Sequence, residues 1–103
     1  MKEMINHLET AIPAKSDHTL YSIDGIQRHQ ILWTLTDAPS VHQVAIDFLP
    51  TDTGFELTRV LIGEQEIILS PEPFEFNDPG VVVGYLRELL PETITNISPS
   101  HKK

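Results

Sequence analysis

The feature that most constrains the fold of this chain is a series of five β-prone segments joined by short connections. The segments cover residues 19–23, 27–36, 41–49, 55–62 and 66–69. A parallel neighbour needs a crossover of about a dozen residues or more, whereas two residues suffice to join antiparallel strands. Every connection here is shorter than a crossover, so the sequence predicts a five-stranded antiparallel meander.

Two turns determine how the first three strands pair. Asp24-Gly25 is a strong hairpin signal, because a type I′ turn needs a positive φ at both central positions. A second turn is predicted at residues 37–40, and it sets the register of the second and third strands. The pairs that follow from this register are Trp33 with Val44, Ile31 with Ile46 and His29 with Phe48.

Helical patterns flank the predicted sheet. Residues 2–12 carry apolar side chains at helical spacing, and residues 78–90 form a second apolar stripe. Asp78 is a natural N-cap for the second helix, and Pro79 suits its first position, where no N–H donor is needed. The sequence thus predicts an α+β fold in which an N-terminal and a C-terminal helix pack on one face of the antiparallel sheet.

Length and composition limit the class of protein. A chain of 103 residues is expected to form one domain, here residues 1–91, followed by a flexible C-terminal tail at 92–103. There is no cysteine, which excludes disulfides and thiolate metal sites. No apolar run reaches the roughly 20 residues of a membrane span, and the first residues lack a signal-peptide pattern. We therefore expect a cytoplasmic protein.

The acidic charge of the chain argues against several partners. Fifteen Asp and Glu residues face seven Lys and Arg residues, which gives a formal net charge of -8. This balance disfavours binding to a nucleic-acid backbone or to an anionic membrane. The partner that we expect is a protein, a second copy of this chain, or both.

One face of the predicted sheet is more apolar than an exposed face normally is. Regular alternation places Tyr21, Ile23 and Leu32 opposite the predicted core, and the fourth strand is apolar on both faces. We therefore predict a protein-binding surface at Tyr21, Ile23, Leu32 and Leu57, covered by a partner or by a second copy. The alternative is a β-bulge in the second or fourth strand, which switches faces and returns such residues to the core.

Acidic and aromatic residues alternate just before the second helix. In this segment Phe74 is a candidate anchor for a partner, and Glu72 and Glu75 are candidates for selecting a basic one. The alternative is that Phe74 and Phe76 fold back as a lid on the core. Only the first interpretation leaves the Phe74 ring available to a partner.

No pattern in the sequence indicates a catalytic or metal site. None of the five histidines forms a close pair in sequence, and the predicted register separates His29 from His42 by about 20 Å along the strands. Alternation also places Asp47 on the face opposite His42, which excludes that pair as an acid–base couple. Known catalytic and phosphate-binding motifs are absent. We expect no cofactor, no metal and no enzymatic activity.

Three functions are compatible with these features. The favoured hypothesis is a small acidic protein-binding module with a regulatory role, such as an inhibitor, an immunity protein or a chaperone-like protein. The second is an acidic mimic of nucleic acid that blocks a basic cleft. The third is a small ligand-binding or enzymatic fold, with a pocket between sheet and helices that combines His29 with Tyr85 or Arg59.

Overall fold

The structure, a computed structural model, describes residues 2–35, 42–69 and 73–90 of the chain. Within these residues an antiparallel sheet and two helices confirm the α+β class. The elements in chain order are α1 (Lys2–Glu9), β1 (Lys15–Ile23), β2 (Ile26–Thr34), β3 (Gln43–Pro50), β4 (Phe55–Ile62), β5 (Gln65–Glu66), β6 (Phe74–Phe76) and α2 (Pro79–Leu89).

The sheet has the predicted meander order, with one short strand that the sequence analysis missed. β1 to β5 follow one another in chain order, and every neighbouring pair is antiparallel. The missed strand is β6, which pairs with the end of β4 that β5 leaves open. β1 lies at the sheet edge, so its outer backbone groups have no neighbouring strand among the described residues.

The Asp24-Gly25 turn closes the hairpin of β1 and β2 as predicted. Both residues have a positive φ, 54° at Asp24 and 78° at Gly25, which is the combination that a type I′ turn requires. Pairing continues from this turn without a shift to Lys15, the first residue of β1. β1 is longer than predicted, because β2 offers a pairing partner along its whole length.

The predicted register between β2 and β3 is confirmed. His29 pairs with Phe48, Ile31 with Ile46 and Trp33 with Val44. All six side chains lie on one side of the sheet, and none is more than 5% exposed, so we call this side the buried face. The predicted turn at residues 37–40 lies outside the described residues.

β4 contains a β-bulge that decides which of its side chains are buried. Asp47 pairs with Arg59. The next residue of β3, Phe48, pairs with Leu57, so one residue of β4, Thr58, is extra. The alternation of β4 changes phase at this point, and Leu57 lies on the buried face with an exposure of 0%. The prediction that Leu57 belongs to an exposed contact surface is therefore wrong, and the bulge alternative is correct for β4.

β6 incorporates the aromatic residues before α2 into the sheet. Phe74 pairs with Leu57, and Phe76 pairs with Phe55. Phe74 is only 5% exposed, and the rings of Phe55 and Phe76 stack with centroids 5.7 Å apart. The prediction of Phe74 as an exposed anchor is therefore wrong, because main-chain pairing with β4 places its ring on the buried face.

The chain divides into two compact units, a helical unit with α1 and α2 and a sheet unit that spans residues 15–77. α1 ends earlier than predicted, because the amides of Thr10 and Ala11 bond to carbonyls three residues back instead of four. Asp78 caps α2 as predicted, and its Oδ1 accepts a hydrogen bond from the Gly80 amide at 2.9 Å.

The two helices are short and contact each other within the helical unit. Arg87 Nη2 donates a hydrogen bond of 3.5 Å to the Thr10 carbonyl oxygen, which joins α2 to the end of α1. No helix in the described part of the chain is long and apolar enough to cross a bilayer. The predicted tail at 92–103 lies outside the described residues.

Candidate binding site on the second face of the sheet

The side of the sheet opposite the buried face, here called the second face, contains an open cleft of about 520 Å³. Neighbouring strands contribute its side chains in a continuous row, because directly opposite residues of an antiparallel ladder lie on the same face. The row consists of Thr19, Gln30, Asp47 and Arg59, and the adjacent pair of Tyr21 and Arg28 extends it.

Asp47 lies at the centre of the cleft, and it is only 3% exposed. Its carboxylate accepts a hydrogen bond from the Tyr21 hydroxyl at 2.5 Å and another from Gln30 Nε2 at 3.2 Å. Arg59 Nη2 lies 3.2 Å from Asp47 Oδ2 and forms an ion pair with it. A buried carboxylate is costly unless it is paired and hydrogen-bonded, and these three partners meet that requirement.

Tyr21 acts as a hydrogen-bond donor in this network. Burial raises the pKa of the Tyr21 hydroxyl above its ordinary value, and the hydrogen bond to the Asp47 carboxylate raises this pKa further. The hydroxyl therefore keeps its proton at neutral pH. Tyr21 was predicted as a contact residue for a partner, and the structure adds that it also satisfies a buried charge.

The bulge in β4 explains why this strand contributes two adjacent residues to the cleft. Successive residues of a regular strand point to opposite faces, yet Thr58 and Arg59 both line the cleft. Thr58 Oγ1 donates a hydrogen bond of 3.1 Å to the main-chain oxygen of Asp47. Asp47 is thus held through its backbone by Thr58 and through its side chain by Arg59.

Two arginines give the cleft a positive charge within an acidic chain. Arg28, Arg59 and Asp47 sum to one positive charge, whereas the formal net charge of the chain is -8. Arg59 pairs with Asp47, but Arg28 has no acidic partner within the described part of the chain. The Nε atoms of both arginines are buried and lack a hydrogen-bond partner there. Each arginine of the cleft lining therefore has a donor that no described residue accepts from.

The structure brings only some of the predicted binding residues together. Tyr21 and Ile23 both line the cleft, and Ile23 is 47% exposed. Leu32 is half-buried on the second face but does not line the cleft. Glu75 is exposed on β6, and Glu72 lies outside the described residues. The contact role of these residues stays a prediction.

Sequence reasoning did not assign Arg28, Gln30 or Asp47 to a site, and it considered Arg59 only together with His29, which lies on the opposite face of the sheet. Two signals were available, because the first hairpin places Tyr21 opposite Arg28 and the predicted register places Gln30 opposite Asp47. Arg59 was also within reach, because it has the same phase in a regular strand as Leu57, which was assigned to the second face. A contact surface predicted from apolar residues therefore leaves out the polar centre of the second face.

Two histidines form a contact on the buried face that sequence spacing does not reveal. His18 Nε2 and His29 Nδ1 lie 3.0 Å apart, and their rings stack with centroids 5.2 Å apart. His29 also stacks on Phe48, with centroids 4.9 Å apart. The first hairpin places His18 and His29 at diagonal positions of the same face, so its register is the signal for this pair.

We expect the free energy of unfolding to fall as the pH decreases through the ordinary histidine pKa of 6.5, because His29 resists protonation in the folded state. Burial lowers the pKa of His29 below its ordinary value of 6.5, and the nearby His18 charge lowers it further. The unfolded chain then binds more protons than the folded chain. The stabilisation is complete above the unfolded pKa and is lost as the pH falls toward the folded pKa.

Urea denaturation at several pH values measures this slope. His29→Gln should flatten it, because glutamine does not titrate. His42→Gln is the matched control, since His42 is exposed and should leave the slope unchanged. A slope that persists in His29→Gln would assign the pH dependence to other groups.

The second face offers guanidinium donors for an anion next to an exposed apolar side chain. Among the described residues, no three His, Asp or Glu side chains lie close enough together to hold a metal ion. In comparisons with known proteins, no family model matches this chain, and neither a curated protein nor a solved structure matches it significantly.

Proposed function

We propose that this chain is a small acidic protein-binding module with a regulatory role, and that the second face is its docking surface. The observation that carries the proposal is that Arg28 is half-buried and has no acidic partner among the described residues. Arg28 lies beside Tyr21 and the exposed Ile23. Tyrosine and arginine are enriched among the residues that dominate binding energy at protein interfaces. A sheet face that only meets water is normally polar, and this combination departs from that pattern.

The tip of the first hairpin extends the proposed docking surface. Ile23 and Ile26 pair directly at the tip, and each is 47% exposed. Because directly paired residues share a face, both lie on the second face with Tyr21. Covering the exposed half of each isoleucine would contribute about 1 kcal/mol per residue to a complex.

Charge favours a different protein over a second copy as the partner. Two copies would each bring a net charge of -8 and a positive cleft to the interface, so like charges would meet. A partner with one acidic group among basic and apolar residues complements both the cleft and its acidic surroundings. Glu75 is one of the exposed acidic residues of the chain, and a role in selecting a basic partner remains the prediction for it.

A photoreactive amino acid at position 23 should give a discrete adduct with a partner protein when the chain is produced in its native host. Ile23 lies on the proposed docking surface, so the reactive group replaces an exposed apolar side chain there. Position 68 is the matched control, because Ile68 is also apolar and is 88% exposed but lies outside the strands. Mass spectrometry of the adducts identifies what each position contacts.

A second substitution tests whether the adduct depends on the docking surface. Ile26→Glu should reduce the adduct at position 23 about fivefold or more, because a charge in an apolar contact costs at least about 1 kcal/mol. An adduct with twice the mass of the chain would identify a second copy instead. Equal labelling from positions 23 and 68 would contradict a specific docking surface.

A further inference from the structure

We propose that the cleft on the second face binds a carboxylate group, and that an Asp or Glu side chain of the protein partner supplies it. This inference rests on the proposed protein-binding function and specifies the chemistry that the partner presents at the centre of the interface. The inference is based on the unpaired Nε–H donors of Arg28 and Arg59 and on the negative charge of Asp47, which leaves the cleft with one net positive charge.

The two arginines hold donors that lack an acceptor. The Nε atom of Arg28 and the Nε atom of Arg59 are both buried, and neither has a hydrogen-bond partner among the described residues. A buried donor that is removed from water costs free energy until an acceptor reaches it. A guanidinium presents its donors in a planar fork that matches the two oxygens of a carboxylate. The cleft is therefore short of an acceptor with this geometry.

Asp47 does not serve as that acceptor, because neither Nε atom forms a hydrogen bond with it. Its Oδ2 accepts from the Tyr21 hydroxyl and from Arg59 Nη2, and its Oδ1 accepts from Gln30 Nε2. Arg28 forms no ion pair with it. Asp47 is thus a positioning residue, which holds Tyr21 and Arg59 in place and leaves Arg28 available to an incoming anion.

The charge of the cleft favours an anion with a single negative charge. Arg28 and Arg59 supply two positive charges and Asp47 supplies one negative charge, so one carboxylate neutralises the cleft. A phosphate group carries nearly two negative charges at neutral pH, so it would exceed the charge of the cleft and be repelled by Asp47 more strongly than a carboxylate. The exposed Ile23 at the rim provides an apolar contact for the methylene groups of an acidic side chain.

Sodium acetate is a direct probe, because it is a minimal analogue of an acidic side chain. We expect acetate to shift the Nε–H resonances of Arg28 and Arg59 saturably in nitrogen-15 NMR spectra, and sodium chloride at equal ionic strength to leave them in place. Arg28→Gln should weaken acetate binding about tenfold or more, since hydrogen bonds to charged groups are strong. Arg87→Gln is the matched control, because it removes an exposed arginine of α2 and should leave acetate binding unchanged.

Two further measurements test the class of the ligand and the need for the planar guanidinium at position 28. Arg28→Lys keeps the charge but lacks the planar fork, so it should bind acetate more weakly than the original chain and more tightly than Arg28→Gln. Sodium phosphate should bind more weakly than acetate, and tighter phosphate binding would overturn the carboxylate assignment. Backbone amide spectra of each variant show whether it is folded. If acetate does not shift the arginine resonances of the folded chain, the inference is overturned.

The crosslinking experiment separates this inference from the proposed function. If acetate leaves the arginine resonances in place while position 23 still captures a partner, the carboxylate inference fails and the proposed function stands. If acetate binds but position 23 gives no adduct, the protein-binding function fails, and a partner is excluded as the source of the carboxylate. Loss of the adduct in Arg28→Gln, together with acetate binding by the original chain, would support both.

Discussion

Leu57→Ala should lower the free energy of unfolding by about 2–5 kcal/mol, whereas Leu61→Ala should lower it by about 1 kcal/mol. Both leucines belong to β4, but the bulge at Thr58 lies between them. Leu57 is fully buried, so its truncation leaves a cavity in packed surroundings. Leu61 is half-buried on the second face, where water can fill the vacated space.

Urea denaturation followed by tryptophan fluorescence measures both costs, because Trp33 is buried in the same sheet. Regular alternation would place positions 57 and 61 on one face, so similar costs for the two variants would contradict the bulge. Substitution of each leucine by aspartate should give a larger difference in stability between the two positions. Leu57→Asp should prevent folding, whereas Leu61→Asp should leave a folded protein.

Asp47→Ala should lower the free energy of unfolding by about 2–3 kcal/mol, because it removes the acceptor of three hydrogen bonds at once. Tyr21 and Gln30 lose a partner, and Arg59 loses its counter-ion. The Arg59 side chain is 41% exposed, so water screens the charge that is left behind and keeps the cost below that of a fully buried pair.

Thermal or urea denaturation of matched variants tests this role of Asp47. Asp47→Asn should cost less than Asp47→Ala, because the amide oxygen can still accept from Tyr21. Asp17→Ala is the control, since Asp17 is an exposed aspartate of β1 on the same face and should change stability by less than about 0.5 kcal/mol. Equal costs for Asp17→Ala and Asp47→Ala would show that the network adds no stability.

The parts of the fold that follow from sequence are those with signals inside a few residues. Asp24-Gly25 specifies a turn because only certain residues tolerate a positive φ at both positions. Asp78 specifies the start of α2 because its side chain satisfies an amide that the helix leaves unpaired. Pairs such as His29 with Phe48 then follow from turn positions and a period of two.

The bulge in β4 could not be predicted because the strand is apolar at positions of either phase. Phe55 and Leu57 fit one alternation, whereas Val60 and Ile62 fit the other. Without the bulge both faces of the strand look half-apolar, and that appearance led to the wrong placement of Leu57. The correct pairing depends on contacts with β3, which a pattern within β4 alone does not contain.

The candidate site was only partly predictable for the same reason. Tyr21 and Ile23 were assigned to the second face from alternation, and the structure places them there. Asp47 was considered only as a partner for His42, although the predicted register already set it beside Gln30. The role of a polar residue on a sheet face depends on its cross-strand neighbours, and composition does not reveal which residues these are.

The extra residue Thr58 has a consequence for how the chain tolerates insertions and deletions. Removing one residue there would restore a strict two-residue repeat along β4. Phe55 and Leu57 would still share the buried face with Val60 and Ile62, because Thr58 is the residue that interrupts their alternation. Descendants of this gene can thus lose residue 58 with the apolar side of β4 intact, whereas the loss of Leu61 would place Val60 and Ile62 on opposite sides of the strand.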